Sequence, residues 1–212
     1  MKIFRQKILL QKNIFEVKNL SFVPTMGGLH KGHEKMIRIA KNRFKKVMVS
    51  IYVNPKQFNS KQDFNSYPRK LKKDISLLKR LKVDYLYLPS YLDIFSFKTK
   101  NQIYLHSFSK KLCGKYRINH FKGVLNVVNR FLEIIKPGYI LLGKKDFQQL
   151  FLIKKHIKRN KIHTKVVPCN TIREKNGIAC SSRNYNLSKE KIKVLAKIIK
   201  LIRKNKKLLN RK

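Results

Sequence analysis

Residues 20–33 read LSFVPTMGGLHKGH, and the order of elements in that stretch decides the fold. Leu20 to Thr25 is a short apolar run suited to a buried strand. Gly27 and Gly28 supply a loop, and a helix begins near Gly32 and runs to about Arg43. The same order then recurs along the chain. KKVMVSIYVN at 45–54 is a continuous β-branched and apolar run of the kind that sits in the middle of a parallel sheet. A polar loop over 54–67 follows it, then a helix opened by Pro68 and running to about Leu81, then a strand at DYLYLP. A short strand is expected at QIYLHSF, residues 102–108, and then a long helix in GVLNVVNRFLEIIKP. Its Val124, Val127, Val128, Phe131, Leu132 and Ile135 form one broad apolar face that reads as core packing. YILLG, KKDFQQLFLIKKHIKR and HTKVVPCN add a strand, a helix and a strand. This alternation predicts an α/β protein with a doubly wound, Rossmann-like parallel sheet.

Composition sets the outer bounds. The 212 residues, 42% of them apolar, are enough to fill the core of one substantial domain. No run approaches the ~18 apolar residues of a membrane span, and the first twenty residues alternate charged with apolar groups where a secretory signal would be unbroken. The expected location is cytoplasmic, with no membrane partner. Cys113, Cys169 and Cys180 are odd in number and lack CxxC spacing, so they are expected to be reduced packing residues. A net charge of +42, from 52 Lys and Arg against 10 Asp and Glu, would attract any polyanion. The lysines are spread over every segment, however, interleaved with Ile, Asn, Phe and Tyr. That pattern fits a compositional drift better than a nucleic-acid stripe, so no specific nucleic acid is expected.

In a sheet of this kind ligands sit beyond the carboxyl ends of the strands. Four unusual stretches lie there: TMGGLHKGH, NPKQF, GKKDFQQ and, after a turn, GIACSSRN. His30 and His33, three apart at the start of a helix, share one side of its first turn. Gly27, Gly28 and Gly32 let a phosphate approach the backbone, and the helix N-terminus adds N–H groups and a favourable dipole. Imidazolium donors at this place would stabilise the charge that develops as a nucleoside triphosphate is attacked at its α-phosphorus. Zinc is the competing reading, but no third ligand of the HExxH type is present. Ser181, Ser182 and Arg183 offer two hydroxyls and a guanidinium fork, a phosphate clamp. Lys145 would reach a phosphate, and Asp146 would hold a ribose or orient a side chain. Gln57 and Gln149, on separate loops, carry neutral amides that both donate and accept, which suits a small hydroxy acid whose carboxylate must stay nucleophilic.

Taken together, VPTMGGLHKGH, VSIYVNPKQF, YPR, DYLYLPS, HFKGVLNVVNRF, GKKDFQQL and GIACSSRN resemble, in that order and over roughly residues 20 to 188, the pantoate-beta-alanine ligase (pantothenate synthetase) family. The HxGH element by itself indicates only the wider nucleotidyltransferase superfamily. The resemblance implies an ATP-dependent ligase that joins pantoate to β-alanine through a pantoyl adenylate, with release of pyrophosphate and AMP. It implies that Met26, Gly27, Gly28, Leu29, His30, Lys31, Gly32 and His33 form the nucleotide loop, with His33 as proton donor and His30 beside the phosphates. Further ATP contacts are implied at Gly143, Lys144, Lys145 and Asp146, at Ile172 beside the adenine, and at Cys180, Ser181, Ser182 and Arg183. Lys145 joins the two histidines as a catalytic candidate. Gln57 and Gln149 match pantoate-binding positions, with Asn54 and Tyr67 as pocket walls. Mg²⁺ is implied on the triphosphate, with Asp74 the one protein group considered near it, and a homodimer is implied as the working form.

Two departures from the family pattern stand out. Lys144 occupies a position where the family usually has Glu, so an acid has become a base at the nucleotide site. The family's C-terminal lid domain is expected to be largely absent. Residues 1–187 are then the ATP- and pantoate-binding domain, and 188–212 a basic amphipathic helix packed through Ile192, Leu195, Ile198, Ile199 and Ile202, a remnant of the lid. Two other functions stay open at this point: a nucleotidyltransferase with another acceptor, or a degraded synthetase acting as a basic nucleic-acid-binding protein.

Overall fold

A computed structural model describes residues 1–205. Its strands are β1 (Lys2–Phe4), β2 (Ser21–Thr25), β3 (Val47–Ile51), β4 (Tyr85–Tyr87), β5 (Tyr139–Gly143) and β6 (Lys165–Cys169). They form one sheet in the order β1-β4-β3-β2-β5-β6, with every pairing parallel. The helices are α1 (Lys7–Ile14), α2 (Lys31–Arg43), α3 (Lys61–Ser66), α4 (Leu71–Arg80), α5 (Tyr91–Phe95), α6 (Cys113–Tyr116), α7 (His120–Ile135), α8 (Phe147–Arg159) and α9 (Lys189–Lys204). The chain builds outward from β2 through β3 to β4, then returns to lay β5 on the other side of β2. The order therefore reverses between β2 and β5, and a crevice opens at their carboxyl ends.

Side chains alternate along each strand and divide the core in two. Phe22, Met48, Tyr85 and Tyr87 face one layer, where they meet α1, α7 and α8 through Leu10, Phe131 and Ile153. Val23, Val47, Val49, Leu86 and Leu141 face the other, against Ile37 and Ala40 of α2 and Leu78 of α4. The inner strands β2, β3, β4 and β5 are covered on both faces, which is why β3 reads as an unbroken apolar run. The broad apolar face expected on α7 is buried as expected.

Several elements differ from expectation. Residues 102–108 form no strand: the Tyr104 N–H donates to His156 Nδ1 at 3.2 Å instead of to a strand neighbour, and His106 caps a 3-10 turn at Ser107–Lys110. The opening of the chain, for which no element was expected, supplies the edge strand β1 and the helix α1. The polar loop over 54–67 contains α3, capped by Ser60, and the helix expected from Pro68 begins at Leu71. Cys113 is exposed, while Cys169 and Cys180 are buried as expected.

α9 also departs from the packed helix expected there. None of its residues is buried; Ile192, Leu195 and Ile199 are half-buried, and Ile198 and Ile202 are exposed. Its contact with the main body runs past Gly177, with Ile199 Cγ2 and Arg203 near the space a Cβ there would occupy. The part of the expected C-terminal helix over 206–212 lies outside the described residues.

One close approach links core to cavity. A Cβ on Gly123 of α7 would sit 2.1 Å from the carbonyl oxygen of Lys56, so α7 presses directly on the 3-10 turn at Pro55–Gln57. Gly123→Ala is expected to destabilise the protein by about 1–3 kcal/mol, as overpacking does. A fall in the denaturant midpoint at unchanged m-value checks this.

Candidate active site

At the end of β2 the chain must turn sharply without leaving buried amides unpaired. Thr25 Oγ1 donates to the Ser50 carbonyl at 2.7 Å and accepts the Gly27 N–H at 3.2 Å. Gly27 and Gly28 then take φ of 78° and 60°, the left-handed region that side chains disfavour. From α4, the buried Asp74 accepts the Gly28 and Leu29 N–H groups, each at 2.9 Å, one on each carboxylate oxygen. Burial raises the Asp74 carboxyl above its usual range, and the two amides act against that rise. Both oxygens hold loop amides and Asp74 does not line the cavity, so its place in the structure is that of a loop anchor.

The loop delivers His30 to the N-cap of α2. His30 Nδ1 accepts the Gly32 N–H at 3.1 Å, and His33 Nδ1 accepts the His30 N–H at 3.4 Å, so the two rings form a reciprocal capping box with centroids 4.0 Å apart. With both Nδ1 atoms accepting, the proton of each neutral ring is assigned to Nε2. Burial, then nearby Lys145, lowers His30 to about 4; burial, then His30 and Lys145, lowers His33 to about 3. The imidazolium pair expected from the sequence is therefore replaced by two neutral rings. Adjacent buried cations of like sign would repel each other, while neutral rings still offer Nε2–H donors.

These groups line a cavity of about 480 Å³ at the β2/β5 crevice, within the range of small-molecule sites. The glycine loop and the start of α2 contribute Met26, His30, Gly32 and His33 to its wall. Gly27, Gly28 and Leu29 stand behind them, and Lys31 pairs instead with Glu174 at 3.1 Å outside it. From β5 come Gly143, Lys145 and Asp146, with Lys145 Nζ 3.6 Å from Asp146. Lys144 is exposed and does not line the cavity, so the acid-to-base departure falls outside the wall. Ile172, Cys180, Ser181, Ser182 and Arg183 do line it, but the Arg183 fork is held by Asp63 of α3 at 3.1 and 2.9 Å.

On the opposite side, Gln57 Nε2 donates to Met26 Sδ at 2.9 Å, and Gln149 and Tyr67 also face the cavity. Asn54 is not a wall residue. It is 1% exposed and fixes Gln57 from behind, donating to Gln57 Oε1 at 3.3 Å and to the Gly123 carbonyl at 3.2 Å. Val124, Val127, Val128 and Phe131 of α7 floor the cavity with apolar surface, so residues expected only to pack also shape the site.

Arg117, His120 and Gln148 are among the wall residues not expected from the sequence. Arg117 and His120 sit in the stretch that looked irregular. His120 Nδ1 lies 2.6 Å from the Gln57 carbonyl, and Arg117 Nη1 lies 3.1 Å from His120 Nε2. Gln148 is buried; its Nε2 donates to the Phe108 and Lys111 carbonyls at 2.8 and 2.6 Å, and its Oε1 has no partner among the described residues. The only available signal was position, just before α7 and beside Gln149.

Six parallel strands with a glycine loop and a histidine pair at the switch point define an α/β protein of the HxGH nucleotidyltransferase type. The family model for pantoate-beta-alanine ligase matches residues 2–212, and the chain belongs to that family. It is 41% identical to the pantothenate synthetase of Francisella tularensis subsp. novicida over 197 residues, covering 92% of this chain and 76% of the relative. It is also 41% identical to a Francisella philomiragia pantothenate synthetase over 198 residues. Among solved structures, pantoate-beta-alanine ligase from Francisella tularensis, complexed with beta-gamma ATP and beta-alanine, superposes with TM-score 0.90 at 40% identity, covering 96% of this chain and 79% of that one. Pantothenate synthetase from Thermus thermophilus superposes with TM-score 0.87 at 32% identity, covering 92% and 71%.

The lowered histidine values carry a pH signature. The native state binds fewer protons than the unfolded chain wherever pH lies below the unfolded value near 6.5. The stabilisation from neutral His30 and His33 is therefore complete above about pH 6.5 and is lost as pH falls towards about 4 and about 3. Each ring contributes at most roughly 1.4 kcal/mol per pH unit in that window. A His30→Asn/His33→Asn variant, which keeps a capping side chain at position 30, is expected to lose less stability than the parent between pH 7 and pH 5 in denaturant titrations.

Proposed function

We propose that this chain condenses pantoate with β-alanine, using ATP and passing through a pantoyl adenylate. One observation carries the reading: neutral His30 and His33, with Lys145 near them, occupy the same cavity as Gln57 and Gln149. The triphosphate lies against the N-terminus of α2, where the helix dipole favours an anion. Gln57 and Gln149 orient pantoate by hydrogen bonds that leave its carboxylate charge in place. A carboxylate oxygen forms a bond to the α-phosphorus, the bond to the β-phosphate oxygen breaks, and pyrophosphate leaves with the electron pair. His30 and His33 donate from Nε2 to phosphoryl oxygens as charge builds on them, and Lys145 adds a cation. In the second step the amine of β-alanine forms the C–N bond at the acyl carbon, the C–O bond breaks, AMP leaves with the pair, and the nitrogen loses a proton. The apolar floor from α7 keeps water from the adenylate. The Francisella tularensis ligase, solved with beta-gamma ATP and beta-alanine, supports the same ligand pair here.

Mg²⁺ enters this reading on the nucleotide. Among the described residues no group of three or more His, Cys, Asp or Glu offers a metal cage, and Asp146 is the acid on the cavity wall. That donor set fits a hard cation that keeps most of its water and rides on phosphate oxygens, whose charge it offsets. The working form is read as a cytoplasmic homodimer on the resemblance to the family, and sedimentation of the purified protein tests the dimer. Among the described residues no helix is long and apolar enough to cross a membrane.

Incubation with ATP, Mg²⁺ and pantoate, with and without β-alanine, tests the function. Pantoate-dependent pyrophosphate release and β-alanine-dependent pantothenate are expected, and His33→Ala is expected to lower kcat roughly 10²–10³-fold, as loss of one transition-state donor does. Pyrophosphate release with an acceptor other than pantoate, or RNA binding insensitive to loss of both histidines with no ATP turnover, would replace this reading.

A further inference from the structure

The cavity wall carries three side chains with fixed cationic heads, Lys145, Arg183 and Arg117. Two of them already face carboxylates: Arg183 grips Asp63 with both branches of its fork, and Lys145 lies 3.6 Å from Asp146. Arg117 differs. Among the described residues its contacts are neutral, with Nη1 3.1 Å from His120 Nε2 and Nη2 3.4 Å from the Gln57 carbonyl. His120 Nδ1, 2.6 Å from that same carbonyl, must be the donor there, so His120 Nε2 is an acceptor and its ring is neutral. These contacts use two of the five guanidinium N–H groups and fix the plane of the fork. The remaining donors are free for a ligand.

A half-buried guanidinium hydrogen-bonded to no anion is costly: burial and neighbouring Arg183 act against its charge, and Asp63, Cys113 and Asp146 nearby offset them only in part. Its surroundings add to the demand for an anion. α7 starts three residues later with no side-chain cap and no acidic residue in its first turn, so the positive end of its dipole is unopposed.

The reaction proposed above, on which this inference rests, contains one anion not yet matched. The triphosphate is met by α2, His30, His33 and Lys145, and the pantoate carboxylate is consumed when it becomes the acyl group. β-Alanine brings a second carboxylate, which takes no part in bond making. Its amine must reach the acyl carbon beside Gln57, and the Gln57 carbonyl is the atom on which Arg117 and His120 are both anchored. We propose that Arg117, positioned by His120, receives the carboxylate of β-alanine and thereby selects an amino acid, rather than a simple amine, as the acceptor.

The test compares β-alanine with its neutral analogue 3-aminopropanamide as acceptors for the parent protein, Arg117→Gln and Arg117→Lys. Pantoate-dependent exchange of pyrophosphate into ATP is measured alongside as the readout of step one. Arg117→Gln is expected to lower kcat/KM for β-alanine roughly 10- to 100-fold, the worth of one charge-assisted contact. It should affect 3-aminopropanamide far less, so the preference for β-alanine collapses. Arg117→Lys, which keeps the charge without the fork, should retain part of that preference. A merely structural role would lower both acceptors together and leave the preference intact, which overturns the proposal. So does a loss of exchange as large as the loss of β-alanine use, since that assigns Arg117 to step one. Absence of exchange in the parent protein would instead refute the synthetase reading itself, and this inference would fall with it.

Discussion

The structure turns on the Asp74 carboxylate, whose two oxygens hold the amides of Gly28 and Leu29. A loop of two left-handed glycines has no side chains with which to fix itself, and its buried N–H groups would each cost about 1–3 kcal/mol if left unpaired. Asp74 removes that cost from across the layer, tying α4 to the end of β2. Only with the loop so held does α2 begin at His30, and only then do two imidazoles stand at a helix N-terminus over the β2/β5 crevice. One acid in a chain with very few of them thus decides where the two histidines lie.

His30 and His33 perform two tasks with different atoms. Their Nδ1 atoms close the capping box of α2, while the Nε2 atoms are left for the cavity. A serine or aspartate would cap the helix at least as well, so propensity alone does not account for histidine there. Burial keeps both rings neutral, which gives donors whose tautomer is set by the backbone. The same economy appears at Gln57. Asn54 holds its amide, while its carbonyl anchors His120 and Arg117, so one short turn supports ligand-facing groups on two sides.

α7 joins the core to the site. Its apolar residues pack under the sheet, and those near its N-terminal half also floor the cavity, so the interior of the protein continues into the wall without a boundary. Gly123 allows the helix to lie against the Lys56 carbonyl. α9, by contrast, lies on the surface with its apolar stripe half covered, a helix whose pattern is stronger than its packing.

What the sequence determined by itself was local or periodic. Alternating apolar runs specified the parallel sheet, and the glycine and histidine spacing in TMGGLHKGH specified the loop and the histidine pair at the start of α2, because both depend on residues within a turn or a strand of one another. The rim residues His30, His33, Gln57, Lys145 and Gln149 were legible for the same reason, each lying just past a recognisable strand. Tertiary structure decided the rest. Asp74 meets its amides across 46 residues, His120 reaches Gln57 across 63, and Asp63 occupies Arg183 across 120. No spacing rule spans such distances. The neutrality of the histidines, the use of Asp74 as an anchor and the unmatched charge of Arg117 all follow from burial and from which distant groups meet, and these exist only once the sheet has closed in the order β1-β4-β3-β2-β5-β6.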